Sequence, residues 1–336
     1  MTVGPATSPT TIGVLGLGRM GLPIAGWLTR AGFDVSGFDI RAERISLAVD
    51  VAGVTPATSA EQLASEVDLV VTILPGAPEF AQLMTRDSPV LAAMRPGSGW
   101  LDLTSNDPRV ARAALELSVE LGLFGVGAPM GGGVEAAEGR TLRFYVGARD
   151  RDLAAVRPVL EALGGDGDGT PGTRGTPGTH VESGPPANSG ASGTSAIEHV
   201  GPAIEDGYVA KLLANQLWFG QVIAVTESLL LGQKLGLAPA ALAGVLARSA
   251  GSSTFLEQHV EHLLDGDYLA TFGLDRCVEE LQILSALAEA TATPFALGDL
   301  VTRLHEDALA RFGSVDGELM AARMLEERAG ATLRAH

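Results

Sequence analysis

The sequence predicts a two-domain protein of the α/β class: an N-terminal domain built on a parallel sheet over residues 11–164 and an all-helical C-terminal domain over 196–330. Three observations carry that expectation. From Thr11 onward, short β-rich runs alternate with amphipathic stretches, the pattern of βαβ units. The first run ends in a glycine-rich turn, GLGRMG, that opens a helix. Beyond residue 205 no strand pattern recurs, and apolar residues fall at helical spacing. A chain of 336 residues accommodates two domains at about 150 residues each.

In chain order, TIGVLGLG is the first strand and its turn, Met20 to Arg30 the first helix, and FDVSGFDI the second strand. Strands DLVVTILP, GWLDLTS, GLFGVGAPM and TLRFYVGA follow, and a helix from about Arg151 to Leu163 ends the domain. Residues 165–195 hold almost no apolar side chains and repeat TPGT at 170 and 176. Such a segment buries too little surface to offset its ordering entropy, so it reads as a flexible insertion, and residues 1–10 as a flexible terminus. After the strand-like IEHV, a helix from about Glu205 to Leu235 would run near 45 Å at about 1.5 Å per residue. It is apolar on more than one face and needs partners on several sides, from later helices or a second subunit, so a homodimer or higher homo-oligomer is expected. Breaks near Gly236, Gly251, Gly266 and Thr293-Pro294 divide the remainder into a helical bundle.

Composition narrows the function classes. With 46% hydrophobic and 19% charged residues the chain reads as an ordinary globular protein. Lys and Arg number 23 against 40 Asp and Glu, a formal net charge of −17, and that field repels polyanions. Neither nucleic acid nor a membrane is expected as a partner. The most apolar run, Leu217 to Leu231, is interrupted by Gln221, Thr226, Glu227 and Ser228, short of the roughly 20 apolar residues of a span. The opening MTVGPATSPT lacks the basic and apolar regions of a secretory signal, and the one cysteine, Cys277, has no intrachain disulfide partner. A cytoplasmic location is the expectation.

The motif Gly16-Leu17-Gly18-Arg19-Met20-Gly21 sits between an apolar strand and a helix, the setting of a Rossmann-type dinucleotide site. Gly16 permits the tight turn, Gly18 lets the backbone approach a pyrophosphate, and Gly21 lets helix and strand pack closely. Asp39 closes the second strand 23 residues after Gly16, where its carboxylate would accept ribose hydroxyls and repel a 2′-phosphate. NAD is the favoured cofactor; Arg41 and Arg44 keep NADP as the alternative. Farther along, DLTSNDP offers Thr104 and Ser105, GAPMGGGVEAAEG is a glycine-rich turn, and GYVAKLLANQ places Lys211 and Asn215 at i and i+4 on one helix face.

The order of these motifs resembles the β-hydroxyacid dehydrogenase family, whose members carry GLGxMG, DxST, DAPVSGG and GxGxxxKxxNN segments; here they read GLGRMG, DLTS, GAPMGGG and GYVAKLLANQ. The likeness spans the chain apart from the first ten residues and the insertion. It implies hydride transfer between a nicotinamide and a small alcohol or carbonyl compound, with Lys211 as general acid/base and Asn215 orienting the substrate. It also implies that the N–H groups of Gly132 and Gly133, with position 131, hold a substrate carboxylate, that Thr104 and Ser105 line the site, and that Leu74-Pro75 border the cofactor cleft. An amine with a pKa near 10.4 is a poor base at neutral pH, so burial beside the cofactor has to lower it.

Departures from the family pattern shape the substrate expectation. Gly127 and Gly131 stand where the family has Asp and Ser, which removes a hydroxyl donor at the carboxylate. The family's FxLxxxxKD segment reads FGLDRCVEEL from Phe272 to Leu281, so Glu279 takes the place of a lysine over the nicotinamide. A negative charge there disfavours an acidic substrate, and a neutral or cationic one is expected, unless Glu279 pairs with a neighbour such as Arg276. Imine reductases share this architecture and fingerprint but commonly carry Asp or Tyr where this chain has Lys211; a non-catalytic NAD sensor is the alternative from another class. No metal site is expected: His259 and His262 lack further ligands, and Cys277 reads as a core thiol.

Overall fold

The computed structural model describes residues 8–85, 88–164 and 196–335. Residues 1–7 of the expected flexible terminus and the whole expected insertion, 165–195, lie outside the described residues. The chain divides between Lys211 and Leu212 into a sheet unit and a helical unit.

In the sheet unit the expected alternation is realised. It opens with β1 (Thr11–Leu15), α1 (Gly21–Arg30), β2 (Asp34–Phe38), α2 (Ala42–Ala52), β3 (Thr55–Pro56), α3 (Ala60–Glu66) and β4 (Leu69–Thr72). The second half holds α4 (Ala77–Leu83), α5 (Pro89–Ala93), β5 (Gly99–Asp102), α6 (Pro108–Glu120) and β6 (Phe124–Gly127). After these come β7 (Met130–Gly131), α7 (Gly133–Gly139), β8 (Arg143–Gly147), α8 (Asp150–Gly164) and β9 (Ile197–Gly201). The strands run in the order β3-β2-β1-β4-β5-β6-β8-β7, with β9 pairing β8. β1 to β6 are mutually parallel, so the chain reverses its winding direction between β1 and β4, where Rossmann-type sheets open their ligand crevice.

Alternate side chains feed the two faces of this sheet. Ile12, Val14, Leu69, Val71 and Leu101 pack on one side, and Leu15, Val70 and Trp100 on the other. Helices cover both, which is why these strands read as near-continuous apolar runs. GLFGVGAPM, expected as one strand, splits into β6 and β7 around Ala128-Pro129, and β3 is too short to carry a sequence signal. IEHV forms β9, which pairs in parallel with β8. An exposed strand edge holds unpaired backbone groups, and β9 satisfies those of β8. The helical unit therefore begins at Leu212 rather than at the expected 196, partway along a helix.

That helix, α9 (Ile204–Lys234), has 31 residues. α10 (Pro239–Leu246), a π-helical turn (Phe255–His259), α11 (Val260–Asp265), α12 (Leu274–Ala290), α13 (Ala296–Phe312) and α14 (Met320–Ala329) follow. All four expected breaks fall between helices, and a fifth, between α13 and α14, went unforeseen. α9 supplies residues to five apolar clusters: Ile204 and Tyr208 to one in the sheet unit, and in the helical unit Leu212 to one, Phe219 to a second, Ile223 to a third, and Val222 with Leu229 to the last. A helix surrounded in this way shows weak amphipathicity, as its sequence does. Among the described residues no helix is long and apolar enough to cross a membrane.

Candidate active site

The glycine turn after β1 shows which of its glycines the chain itself requires. Gly16 has φ +97° and donates its N–H to Phe38 O at 3.0 Å; a Cβ there would run into the carbonyl of Ile73. A Cβ at Gly21 would strike the carbonyl of Gly16. At Gly18 the nearest atom to such a Cβ is the Arg44 Nη1, at 3.5 Å, an ordinary contact. Packing within the chain therefore does not demand Gly18, and the cradle it leaves suits a ligand that approaches the backbone closely. α1 starts beside it, capped at Met20 without a side-chain hydrogen bond and with no acid in its first turn, so its N–H groups suit an anion. These residues fit a dinucleotide pyrophosphate. Arg19 is exposed at the turn.

Asp39 is buried and holds this turn together. Its Oδ2 accepts from Leu17 N at 2.9 Å and its Oδ1 from Arg41 N at 2.9 Å, while Arg44 Nη1 lies 3.3 Å from Oδ2. The sequence reading gave Asp39 an outward task and left Arg44 free. In the structure Arg44 is paired with the very carboxylate expected to repel a 2′-phosphate.

A second centre, absent from the sequence reading, gathers at the ends of β4 and β5. Asp102 is fully buried, and four donors converge on it: Thr72 Oγ1 (2.8 Å) and Thr104 N (3.0 Å) to Oδ1, Asn106 Nδ2 (2.9 Å) and Tyr208 OH (2.9 Å) to Oδ2. Burial pushes the Asp102 carboxyl up from the usual range against the pull of these hydrogen bonds. The Tyr208 phenol, also fully buried and facing that carboxylate, is held well above its ordinary value. Thr104 turns inward: its Oγ1 accepts from Leu74 N at 3.0 Å, which ties the Leu74-Pro75 corner to β5. Ser105, half-buried, is the accessible hydroxyl of the pair.

The glycine turn after β6 is built as expected, with one surprise. Gly132 (φ +108°) and Gly133 (φ +67°) adopt left-handed conformations at the start of α7 and are exposed. Gly131 has ordinary space around it, with Tyr145 Cε2 at 3.5 Å from a built Cβ. Gly127 has none, because a Cβ there would enter the Tyr208 ring. With the Tyr208 ring in that place, position 127 has no room for a side chain.

α9 carries Tyr208, then Lys211 three residues on, then Asn215 four residues beyond that, all on one side of the helix. Composition singles out Lys211. Of the chain's 23 basic side chains 21 are arginine, and Lys211 and Lys234 are the two lysines. Arginine serves this protein as its general surface cation but cannot release a proton near neutrality; an amine can. Lys234 ends α9, where a cation meets the helix dipole.

In the helical unit, Asn215 Nδ2 donates to Glu280 Oε2 at 2.6 Å. Glu280 is 5% exposed, and its Oε1 is buried with no hydrogen-bond partner among the described residues. Glu279, expected to present an uncompensated negative charge, pairs with Arg276 at 2.7 Å. One helical turn separates the two, so the ion pair forms within α12. Cys277 is fully buried and its thiol is pushed well above its ordinary range by burial, unsuited to nucleophilic work. Among the described residues no three His, Cys, Asp or Glu side chains converge on a point, and His262 instead bonds Asp267 at 2.8 Å.

Comparison with known proteins assigns the chain. Residues 11–171 match the family model for the NAD binding domain of 6-phosphogluconate dehydrogenase, and 206–325 that for NAD-binding of NADP-dependent 3-hydroxyisobutyrate dehydrogenase. A probable 3-hydroxyisobutyrate dehydrogenase of Mycobacterium bovis is 32% identical over 243 residues, 72% of this chain and 71% of that protein. The chain belongs to the β-hydroxyacid dehydrogenase family. An NAD-dependent L-serine dehydrogenase of Pseudomonas aeruginosa is 29% identical over 304 residues, covering 88% of this chain and 90% of its own. The solved structure of Mycobacterium tuberculosis 3-hydroxyisobutyrate dehydrogenase with L-serine has a TM-score of 0.77 at 27% identity, covering 94% of this chain and 99% of that one. The protein is accordingly an NAD(P)-dependent dehydrogenase of the hydroxyacid type, as the motif order implied.

Proposed function

We propose that the protein oxidises a small β-hydroxy acid, or reduces the matching carbonyl acid, with Lys211 as its general acid/base. The observation that carries this reading is the lysine itself, one of two on α9 in a chain with 21 arginines, and the one on the same side of the helix as Tyr208 and Asn215. The nicotinamide, when bound, supplies the hydride acceptor or donor. In oxidation Lys211 takes the hydroxyl proton as the C–H bond is broken; in reduction its ammonium returns a proton to the carbonyl oxygen. Asn215 orients the substrate, and its amide is itself oriented by Glu280. Ser105 lines the site, and the exposed N–H groups of Gly132 and Gly133 receive the carboxylate at the start of α7.

The Glu279–Arg276 pair bears on the substrate's charge. A neutralised Glu279 no longer opposes a carboxylate, so the expectation of a neutral or cationic substrate gives way to an acidic one. Relatives named for 3-hydroxyisobutyrate and L-serine support the same class. For the cofactor we favour NAD, bound by Gly16 to Gly21 with Asp39 beside the ribose. Arg44, lying over Gly18 and paired with Asp39, supports some use of NADP.

A homodimer completes this reading. Leu213, Leu217 and Leu231 of α9 are 43%, 61% and 63% exposed. At about 100° per residue they fall within roughly 40° of one another, an apolar stripe facing outward. A second copy would bury it.

The deciding experiment measures cofactor reduction with 3-hydroxyisobutyrate, L-serine and uncharged alcohols, using NAD and NADP in turn. Lys211→Met is expected to lower kcat by about 10² or more while leaving NAD affinity near that of the parent. Normal turnover by that variant would remove the lysine from the mechanism.

A further inference from the structure

We infer that the buried hydrogen bond between Tyr208 and Asp102 is the positioning device that aims Lys211. Three observations meet in it. Asp102 ends β5, two residues before the Thr104-Ser105 hydroxyls, and its carboxylate takes donors from β4, from its own loop and from α9. Tyr208 is the donor from α9, fully buried, with its ring lying in the space a side chain at 127 would fill. Lys211 follows one helical turn later on the same side.

The first turns of α9 lie close against the sheet. Cβ atoms at Gly147 or Gly207 would strike backbone atoms of the opposing segment, so the distance between helix and sheet is set by glycine contacts. Those contacts, with buried Ile204, hold the first turn of the helix against the sheet. Tyr208 carries that hold to the turn that bears Lys211, because its hydroxyl reaches a carboxylate held by three other donors. Rotation of α9 by even part of a turn would break that bond and strand a buried phenol. The direction in which Lys211 leaves the helix is thereby tied to the end of β5, the strand that also delivers Ser105. Tyr208 and Asp102 act through the lysine and are positioning residues, and the inference rests on Lys211 being the acid/base of the proposed function.

Tyr208→Phe and Thr72→Val form the test. Each removes one hydroxyl donor from Asp102 at nearly constant volume, but only the first touches α9. With lysine labelled by ¹³C at its ε-carbon, the chain gives two side-chain signals, and Lys234→Arg assigns them; exposed Lys234 is the internal reference. Tyr208→Phe is expected to move the Lys211 titration midpoint toward that of Lys234 by half a pH unit or more. It should also lower kcat with 3-hydroxyisobutyrate or L-serine at least 10-fold, with KM for NAD unchanged. Thr72→Val is expected to leave the Lys211 midpoint where it is. A Tyr208→Phe protein that does not fold, or that moves Lys211 no more than Thr72→Val does, makes the pair a stability element and overturns the proposal. Because the titration is read without substrate, parental turnover by Lys211→Met would overturn the acid/base reading separately.

Discussion

Two buried carboxylates, one in each unit, are treated in opposite ways. Asp102 in the sheet unit receives four donors and has no unused lone-pair direction. Among the described residues Glu280 in the helical unit receives a donor from Asn215, and its buried Oε1 has no hydrogen-bond partner. A carboxylate satisfied on every side braces a fold, whereas one left half-satisfied carries a cost that packing alone does not explain. What sets Glu280 apart is its bond to Asn215, the amide that orients the substrate in the proposed function.

The largest expected effect tests the brace. Asp102→Ala leaves four buried donors without an acceptor, which costs about 3 kcal/mol or more, so the thermal midpoint of the sheet unit should fall by roughly 6–12 °C. A loss under about 2 °C by calorimetry would mean that the network is dispensable and that the contrast with Glu280 is false.

Acid separates the units through a different pair of groups. His305 in α13 is fully buried, bonds Val301 O through Nδ1, and is held by burial at about 4, below its ordinary 6.5. Its folded pKa is depressed, so between pH 6.5 and 4 the unfolded chain holds a proton that the folded one refuses. Stability then falls as pH falls through that window, by up to about 1.4 kcal/mol per pH unit and about 3 kcal/mol in all. Asp102, whose folded pKa is raised, acts with the opposite sign and loses stability as pH rises above its unfolded value. Denaturation of parent and His305→Met between pH 4 and 7 should show the variant's curve flattened; parallel curves would remove His305 as the cause.

Glu280→Met sharpens the comparison from the other side. Replacing the half-satisfied carboxylate by an apolar side chain of similar length should leave the midpoint at or above that of the parent. It also releases the Asn215 amide, and KM for the hydroxy acid should rise about 10-fold, near 1.4 kcal/mol. A midpoint that drops as it does for Asp102→Ala would place both carboxylates in one class.

The smallest effect concerns charge. Arg276→Met uncovers Glu279, and because that pair is about one-quarter exposed and screened, KM for an acidic substrate should rise only about 3-fold, with uncharged alcohols unaffected. Equal changes for charged and neutral substrates would take Glu279 out of the site's field.

Features that depend on neighbours in the chain were legible in the sequence. Strand and helix periodicity, the GLGRMG turn with its required glycines at 16 and 21, and the i, i+4 placement of Lys211 and Asn215 follow from local geometry, which a short window contains. Only the tertiary structure decided how distant groups meet. Tyr208 and Asp102 lie 106 residues apart, and nothing in either segment announces the other until the strand order brings β5 beside α9. Thr104 turns inward and Ser105 outward because a chain leaving a strand end alternates its side chains, and which of the two is buried depends on what covers them. The Glu279–Arg276 pair was within reach of sequence as i, i+3 neighbours, yet a rotamer choice, not spacing, made it. Glu280 and Asn215 sit 65 residues apart on two helices, and only the packing of those helices turned a buried acid toward the amide.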